Sequence, residues 1–277
     1  MRGAVGEMWA PLLGGELTRL TGERPVQGVT PDSLLALHDA GYRAVTARVG
    51  EGRLLDLGCG QGFESVRLIA PRRSVVGVDY SIDAVEHAAR IHAGSGLSVA
   101  RTDALRLCIG GGSFDYVCSS HLIEHFEHPE GHVKEMARVL KPAGRALILT
   151  PNAPADFENP FHVHLFGAKE LRSLLSAYFS DVWVGGLDAT DAVKEDFRAR
   201  RERAAKVLSL DVFDLRHRMP RSWYVAGYTR VLPLAYRIMA RRDTGGSSGI
   251  TADDFFVTDE IDETTLVLFA IAGDPRR

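Results

Sequence analysis

The residues with the most chemistry in them fall into a few short clusters. Leu54-Leu55-Asp56-Leu57-Gly58-Cys59-Gly60-Gln61-Gly62 runs from an apolar strand into a D-x-G-x-G-x-G turn. Glycines in such a turn let the backbone approach a ligand closely and open the next helix with its free N–H groups facing that ligand. Val75-Val76-Gly77-Val78 ends at Asp79, and an acid at the tip of the second strand suits the paired hydroxyls of a ribose. Together these indicate a nucleoside-containing cofactor. A dinucleotide fingerprint, G-x-G-x-x-G counted from Gly58, would put its third glycine at 63. The chain has Phe63 there and Gly62 before it.

These groups need a scaffold that brings strand ends together. From residue 53 the sequence alternates strand and helix patterns, which predicts a parallel sheet covered on both faces. Strands are expected at 53–57, 74–79, 97–101, 114–119, 145–150 and 181–187, and a last one at 265–271. Helices are expected to start near Gly62, Ser81 and Pro129, with a further one over 168–178 and another after Thr30-Pro31. In the Pro129 helix, Val133, Met136, Ala137 and Leu140 fall at i, i+3, i+4 and i+7, one apolar face. Ligands of open α/β sheets bind at the carboxyl ends of the strands. There the chain offers Asp56, Asp79, Asp103 within Arg101-Thr102-Asp103-Ala104, and Ser119-Ser120-His121-Leu122-Ile123-Glu124-His125.

At these positions the chain resembles the class I S-adenosylmethionine-dependent methyltransferases. The matching segments are LLDLGCGQG (54–62), VVGVDYS (75–81), RTDAL (101–105), FDYVCSSHLIEHFEHP (114–129) and VLKPAGRALILTPN (139–152). The resemblance implies a doubly wound, Rossmann-like α/β fold with a seven-stranded sheet whose last strand is antiparallel. It implies S-adenosyl-L-methionine as cofactor and S-adenosyl-L-homocysteine as product. Gly58, Cys59, Gly60 and Gly62 would surround the methionine part, with Asp56 near its amino group. Asp79 would bind the ribose hydroxyls with Tyr80 beside the adenine, Asp103 and Ala104 would read the adenine edge, and Ser119, Ser120 and His121 would lie near the sulfonium. A fainter resemblance, through Thr21-Gly22-Glu23-Arg24-Pro25, Asn159-Pro160-Phe161-His162 and Lys169-Glu170-Leu171, is to actinobacterial members linked to glycan and glycolipid biosynthesis. It implies O-methylation of a small-molecule acceptor, a sugar or glycan first. Lipid, quinone, polyketide and amine acceptors are the alternatives, and a cofactor-binding regulatory protein without catalysis is the alternative of another class.

A hydroxyl acceptor needs a general base, and histidine suits that task near neutral pH. Six of the ten histidines (121, 125, 128, 132, 162 and 164) lie between 121 and 164. His121 is the first choice of base, then His162, then His125, with His164 beside the substrate. His121-x-x-Glu124-His125 also spells a zinc-peptidase pattern, but it follows a strand directly and Pro129 comes soon after. His162-Val163-His164 could present two imidazoles on one side of an extended segment, yet no carboxylate set accompanies the pair, and no metal is assigned.

Residues 188–250 break the strand–helix rhythm. Arginines (198, 200, 201, 203, 216, 218, 221, 241 and 242) and aromatics including Trp223 and Tyr224 crowd this stretch. A helical cap with a solvated arginine face is expected there; as a lid over the acceptor it would stack Trp223 or Tyr224 on a sugar ring, and peripheral membrane contact through 231–242 is the third reading. The organisation reads as an N-terminal helical segment (1–45), a cofactor-binding core (46–187), the cap insertion (188–250) and a C-terminal strand (251–277). A net charge of −3 gives no general attraction to nucleic acid or anionic membranes. Three cysteines without metal-ligand spacing fit a reducing compartment. No apolar run approaches the roughly 20 residues of a membrane span, so a cytoplasmic protein without stable membrane insertion is expected. The oligomeric state is left open, a dimer included.

Overall fold

A computed structural model describes residues 30–156, 161–208 and 249–277. Helix α1 (Asp32–Thr46) precedes β1 (Gly52–Leu57), β2 (Arg73–Asp79), α2 (Ile82–Ile91), β3 (Leu97–Arg101) and β4 (Phe114–Ser120). Then come α3 (Glu130–Val139), β5 (Leu140–Pro151), α4 (Ala168–Ser176), β6 (Phe179–Ala189), α5 (Asp191–Leu208), β7 (Phe255–Thr258) and β8 (Val267–Pro275). They form one eight-stranded sheet in the order β3-β2-β1-β4-β5-β8-β6-β7. β1 to β5 pair in parallel, and β8 runs antiparallel between β5 and β6.

Strict alternation along the central strands produces a core on each face of the sheet. Leu54, Leu147, Leu149, Val267 and Phe269 face one side, where α1 and α5 add Leu37, Val45, Val193 and Phe197. Leu55, Leu57, Ile148 and Leu268 face the other, against Val133 and Met136 of α3 and Leu171 and Leu175 of α4. Each fully buried leucine or valine contributes about 1.5–3 kcal/mol by leaving water, so the two layers clamp the sheet between them.

The register sets the level of the functional edge. Leu57 pairs with Val78 on one side and with Ser119 on the other. Gly58, Asp79 and Ser120 therefore emerge side by side where strand order reverses between β1 and β4, the place open α/β sheets use for ligands.

Three expectations need correction. No helix starts near Gly62; a single 3-10 turn, Ser65–Leu68, follows the glycines. Only eight residues separate Gly62 from the Pro71 that follows Ala70, and a residue before proline is disfavoured in helical backbone. The sheet has eight strands, not seven, because Phe255–Thr258 adds an antiparallel edge to β6; its residues Phe-Phe-Val-Thr are strong strand formers. β5 begins at Leu140, directly after the helix, and takes up the extra residues as a register shift opposite Phe114–Tyr116. Of the expected cap, Asp191–Leu208 is helix, and 209–248 lie outside the described residues. Among the described residues no helix is long and apolar enough to cross a membrane.

A Cβ on Gly77 would stand 2.9 Å from both Cβ and Sγ of Cys59, so the glycine turn rests on that bare spot of β2. Gly77→Ala is expected to destabilise the protein by about 1–3 kcal/mol through overpacking, read as a lower urea midpoint at unchanged m value. An unchanged midpoint would show that the turn lifts freely away.

Candidate active site

The turn after β1 is built on left-handed backbone: Gly58, Gly60 and Gly62 have φ of 73°, 53° and 77°, a region that costs little only for glycine. Its amides knit it to the next strand. Gly58 N and Cys59 N both donate to the Val78 carbonyl, and Gly60 N donates to Asp79 Oδ2 at 3.0 Å. The other Asp79 oxygen accepts from Ser81 N at 2.9 Å. The Asp79 carboxylate, 4% exposed, is thus held rigidly at the edge, and Tyr80 beside it is 61% exposed.

Asp56 is placed differently from its expected role. It is wholly buried and faces inward, accepting from Tyr42 Oη (3.2 Å to each oxygen) and from Ser65 Oγ (2.6 Å). It fastens α1 and the 3-10 turn beneath the glycine loop. A carboxylate among apolar strands loses its hydration, and burial pushes the Asp56 carboxyl up to about 7, against the hydrogen bonds from Ser65, Tyr42 and Cys118.

Asp103 is exposed and folds back on its own loop, accepting from Leu105 N. The Ala104 carbonyl accepts from Nδ1 of His132 at 3.3 Å, and the other ring nitrogen of His132 lies 2.9 Å from Ser119 Oγ. A carbonyl can only accept, so Nδ1 carries the proton and the Ser119 hydroxyl donates to Nε2. Burial lowers the His132 pKa to about 4, keeping the ring neutral and this tautomer in place. Ser120 Oγ is buried at the same edge without a hydrogen bond to any described residue.

The histidines separate into two groups around Glu124, which is fully buried. His121 stands on left-handed backbone, φ 51°. Its ring packs at 4.6 Å on that of His38 from α1, and its Nδ1 lies 3.5 Å from Glu124 Oε1. Burial, and then the His121 charge, bring His38 down to about 3. On the other side, His125 donates Nδ1–H to the Phe161 carbonyl (2.9 Å) and His162 donates to Asp156 Oδ2 (2.8 Å). Their rings meet edge to face at 5.4 Å. Glu124 Oε2 accepts from Thr150 Oγ1, and the Glu124 carbonyl accepts from Val163 N and His164 N, which brings the later segment to the site. Burial alone would raise the Glu124 pKa, but the imidazoles of His121, His125 and His162 hold it down near 2.

His162 and His164 do not act as a pair: His164 donates to Glu170 Oε1 at 2.8 Å and stacks on Phe166. His125 belongs to a 3-10 turn, Ile123–His125, so the peptidase-like spacing lacks its helix. Trp223 and Tyr224 lie outside the described residues. A cavity of about 480 Å³ opens beside the cluster, lined among others by Leu105, His125, Phe126, His128 and Phe161. His38 and Tyr42 do not figure among the sequence candidates, and His132 figures there only as one of the six histidines, without a role. The first two stand at i and i+4 on α1, and His132 adjoins Val133 on the apolar face of α3; polar rings on otherwise apolar helix faces were the available signal.

Residues 55–148 match a methyltransferase-domain family. That segment carries the glycine turn, Asp79, Asp103 and Ser119–His125, but neither α1 nor His162. Over 176 residues the chain is 32% identical to a probable S-adenosylmethionine-dependent methyltransferase of Mycobacterium tuberculosis, covering 61% of this chain and 64% of the relative. The chain thus spans less than two thirds of that relative's length. It is also 32% identical, over 118 residues, to a ubiquinone/menaquinone biosynthesis C-methyltransferase of Desulfotalea psychrophila, covering 41% of this chain and 48% of that protein. Among solved structures it is similar to a methyltransferase of Thermotoga maritima described as a possible histamine N-methyltransferase. The TM-score is 0.55 at 18% identity, over 87% of this chain and 90% of the other. At that identity the likeness speaks for the fold alone.

The buried Asp56 gives a pH test. Its folded pKa of about 7 lies above the ordinary 3.8, so the folded protein holds the proton more tightly. The stabilisation is complete below about 3.8 and is lost as pH rises through about 7. Relative to Asp56→Asn, the wild-type chain is expected to lose stability across that window, on the order of 4 kcal/mol in total. Urea unfolding at several pH values reads this; a difference between the two proteins that stays flat with pH would contradict it.

Proposed function

We propose that this protein is an S-adenosylmethionine-dependent methyltransferase acting on a small-molecule hydroxyl, on a sugar or glycan in the first instance. The observation that carries the reading is the level edge at the β1/β4 switch point. There Gly58–Gly62, Asp79, the Asp103 loop and Ser119–His121 stand together inside the segment that matches the methyltransferase-domain family.

The residues present fit the cofactor. The glycine turn is already folded back and fixed to β2, so little entropy is lost on binding. A buried hydroxyl without a partner, Ser120 Oγ, is costly in isolation and suits a polar ligand group at the same edge. Gly58, Cys59, Gly60 and Gly62 would border the methionine part, Asp79 the ribose hydroxyls, Tyr80 the adenine face, and Asp103 and Ala104 the adenine edge. His132 supports this last wall, since it ties Ala104 to Ser119. When bound, S-adenosylmethionine supplies a methyl group on a sulfonium and leaves as S-adenosylhomocysteine.

The chain's own share of the reaction is alignment and proton removal. Holding acceptor and methyl in line is worth up to ~7–11 kcal/mol. His121 is the preferred base: Nδ1 faces Glu124, so Nε2 takes the hydroxyl proton, and the buried carboxylate stabilises the imidazolium that forms. His162 and His125, with Nδ1–H held by Asp156 and by the Phe161 carbonyl, present Nε2 in the same way and come second. A second reading, methylation of a quinol ring carbon, is favoured by the likeness to the quinone C-methyltransferase; there a base that takes the hydroxyl proton activates the ring, and the methylated carbon gives up its own hydrogen as a proton while the hydroxyl regains one.

Calorimetry with S-adenosylhomocysteine tests the cofactor assignment. Binding is expected, and Asp79→Ala should weaken it about 10–100-fold, the worth of hydrogen bonds to a charged group. Tight NAD binding with no response to S-adenosylhomocysteine would overturn the reading. For turnover, His121→Ala is expected to lower kcat by about 10²–10⁴-fold while leaving cofactor affinity unchanged. A panel of glycosides and quinols separates oxygen from carbon acceptors, and cofactor binding without turnover on any acceptor would point to a regulatory protein.

A further inference from the structure

Glu124, His125 and His162 each bring one potential metal-ligand atom within 4.8 Å of the other two. Three features of the cluster go beyond proximity. Glu124 Oε1 is fully buried and makes no hydrogen bond to a described residue, with His121 Nδ1 only as near as 3.5 Å, an expensive condition for a carboxylate oxygen. Both imidazoles have one ring nitrogen committed, His125 Nδ1–H to the Phe161 carbonyl and His162 Nδ1–H to the Asp156 carboxylate. In its neutral form each ring therefore carries its lone pair on Nε2, and a metal ion must displace the proton that Asp156 favours on His162. Outer hydrogen bonds of this kind, from a ligand histidine to a carboxylate or a backbone carbonyl, fix tautomer and orientation at metal centres.

We propose that Glu124, His125 and His162 form a binding site for a divalent transition ion of the zinc type. Two imidazoles and one carboxylate select such an ion over magnesium or calcium, which take oxygen ligands. Around tetrahedral zinc, donors stand roughly 3.3 Å apart, from metal–ligand distances of about 2.0–2.2 Å. The donors, now within 4.8 Å of one another, have to draw together by about an ångström or more on binding. The three donors come from two chain segments, and the backbone bonds from Val163 N and His164 N to the Glu124 carbonyl hold those segments together. His125 also lines the 480 Å³ cavity, so an ion held here borders that cavity. The inference does not depend on methyl transfer, because it concerns metal binding by the chain alone.

The test is titration of the metal-stripped full chain with zinc chloride by calorimetry, and with cobalt chloride by visible absorption. One equivalent is expected to bind, with a cobalt spectrum typical of nitrogen and oxygen ligands. His125→Gln, His162→Gln and Glu124→Gln should each weaken zinc binding more than 100-fold. Asp156→Asn should weaken it about 10–100-fold, as loss of an outer partner does. His164→Ala should leave it unchanged, since that ring is engaged with Glu170. Where a variant fails to fold, histidine modification of the unaltered chain gives the same answer: zinc should protect His125 and His162 from diethylpyrocarbonate and leave His87 reactive. Absence of a stoichiometric site, affinity untouched by the three ligand substitutions, or no protection of His125 and His162 would overturn the proposal.

Discussion

Everything at the carboxyl edge depends on Leu57 having a partner on each side at the same level, Val78 toward the early strands and Ser119 toward the later ones. A slip of one residue in either pairing would turn alternate side chains to the opposite face, exchanging the two buried layers and sending Asp79 or Ser119 out of reach of the turn. The register is protected by what it buries. Leu54 and Leu55 have no exposure and belong to opposite cores, so neither face tolerates the exchange.

The polar groups behind the edge are held by a second constraint, the requirement that buried hydrogen-bonding groups find partners. Asp56 is satisfied by Tyr42 and Ser65, which draws α1 and the turn after the glycines against the sheet. His132 joins the β3 and β4 loops through Ala104 and Ser119. Glu124 receives the 161–166 segment through its main chain and Thr150 through its side chain. These connections link parts of the chain far apart in sequence, and each fixes a loop that regular secondary structure leaves undetermined.

That division explains what could be read in advance. The strands were legible because apolar runs and alternation are local signals, and Asp79 was legible because it terminates one of them. The inward turn of Asp56 was not, since it depends on Tyr42, fourteen residues earlier in a helix whose docking the sequence does not state. His132 resembled a member of an amphipathic helix face, and its role appears only when α3 meets two loops. β7 is four residues long, too short for periodicity to separate from its surroundings. The histidines between 121 and 164 were recognised as a group, but their partition between His38, Asp156, Phe161 and Glu170 is a tertiary matter.

His121 has a further consequence. Its left-handed backbone costs a non-glycine residue about 1–2 kcal/mol, and the hydrogen bond that its amide N–H donates to the Leu149 carbonyl at 2.8 Å holds it in that conformation. Glycine or asparagine would occupy the position more comfortably, and neither carries an imidazole. The site therefore sits at a point where conformational ease and chemical capability favour different residues. Sequence drift that gained stability at residue 121 would do so by discarding its imidazole.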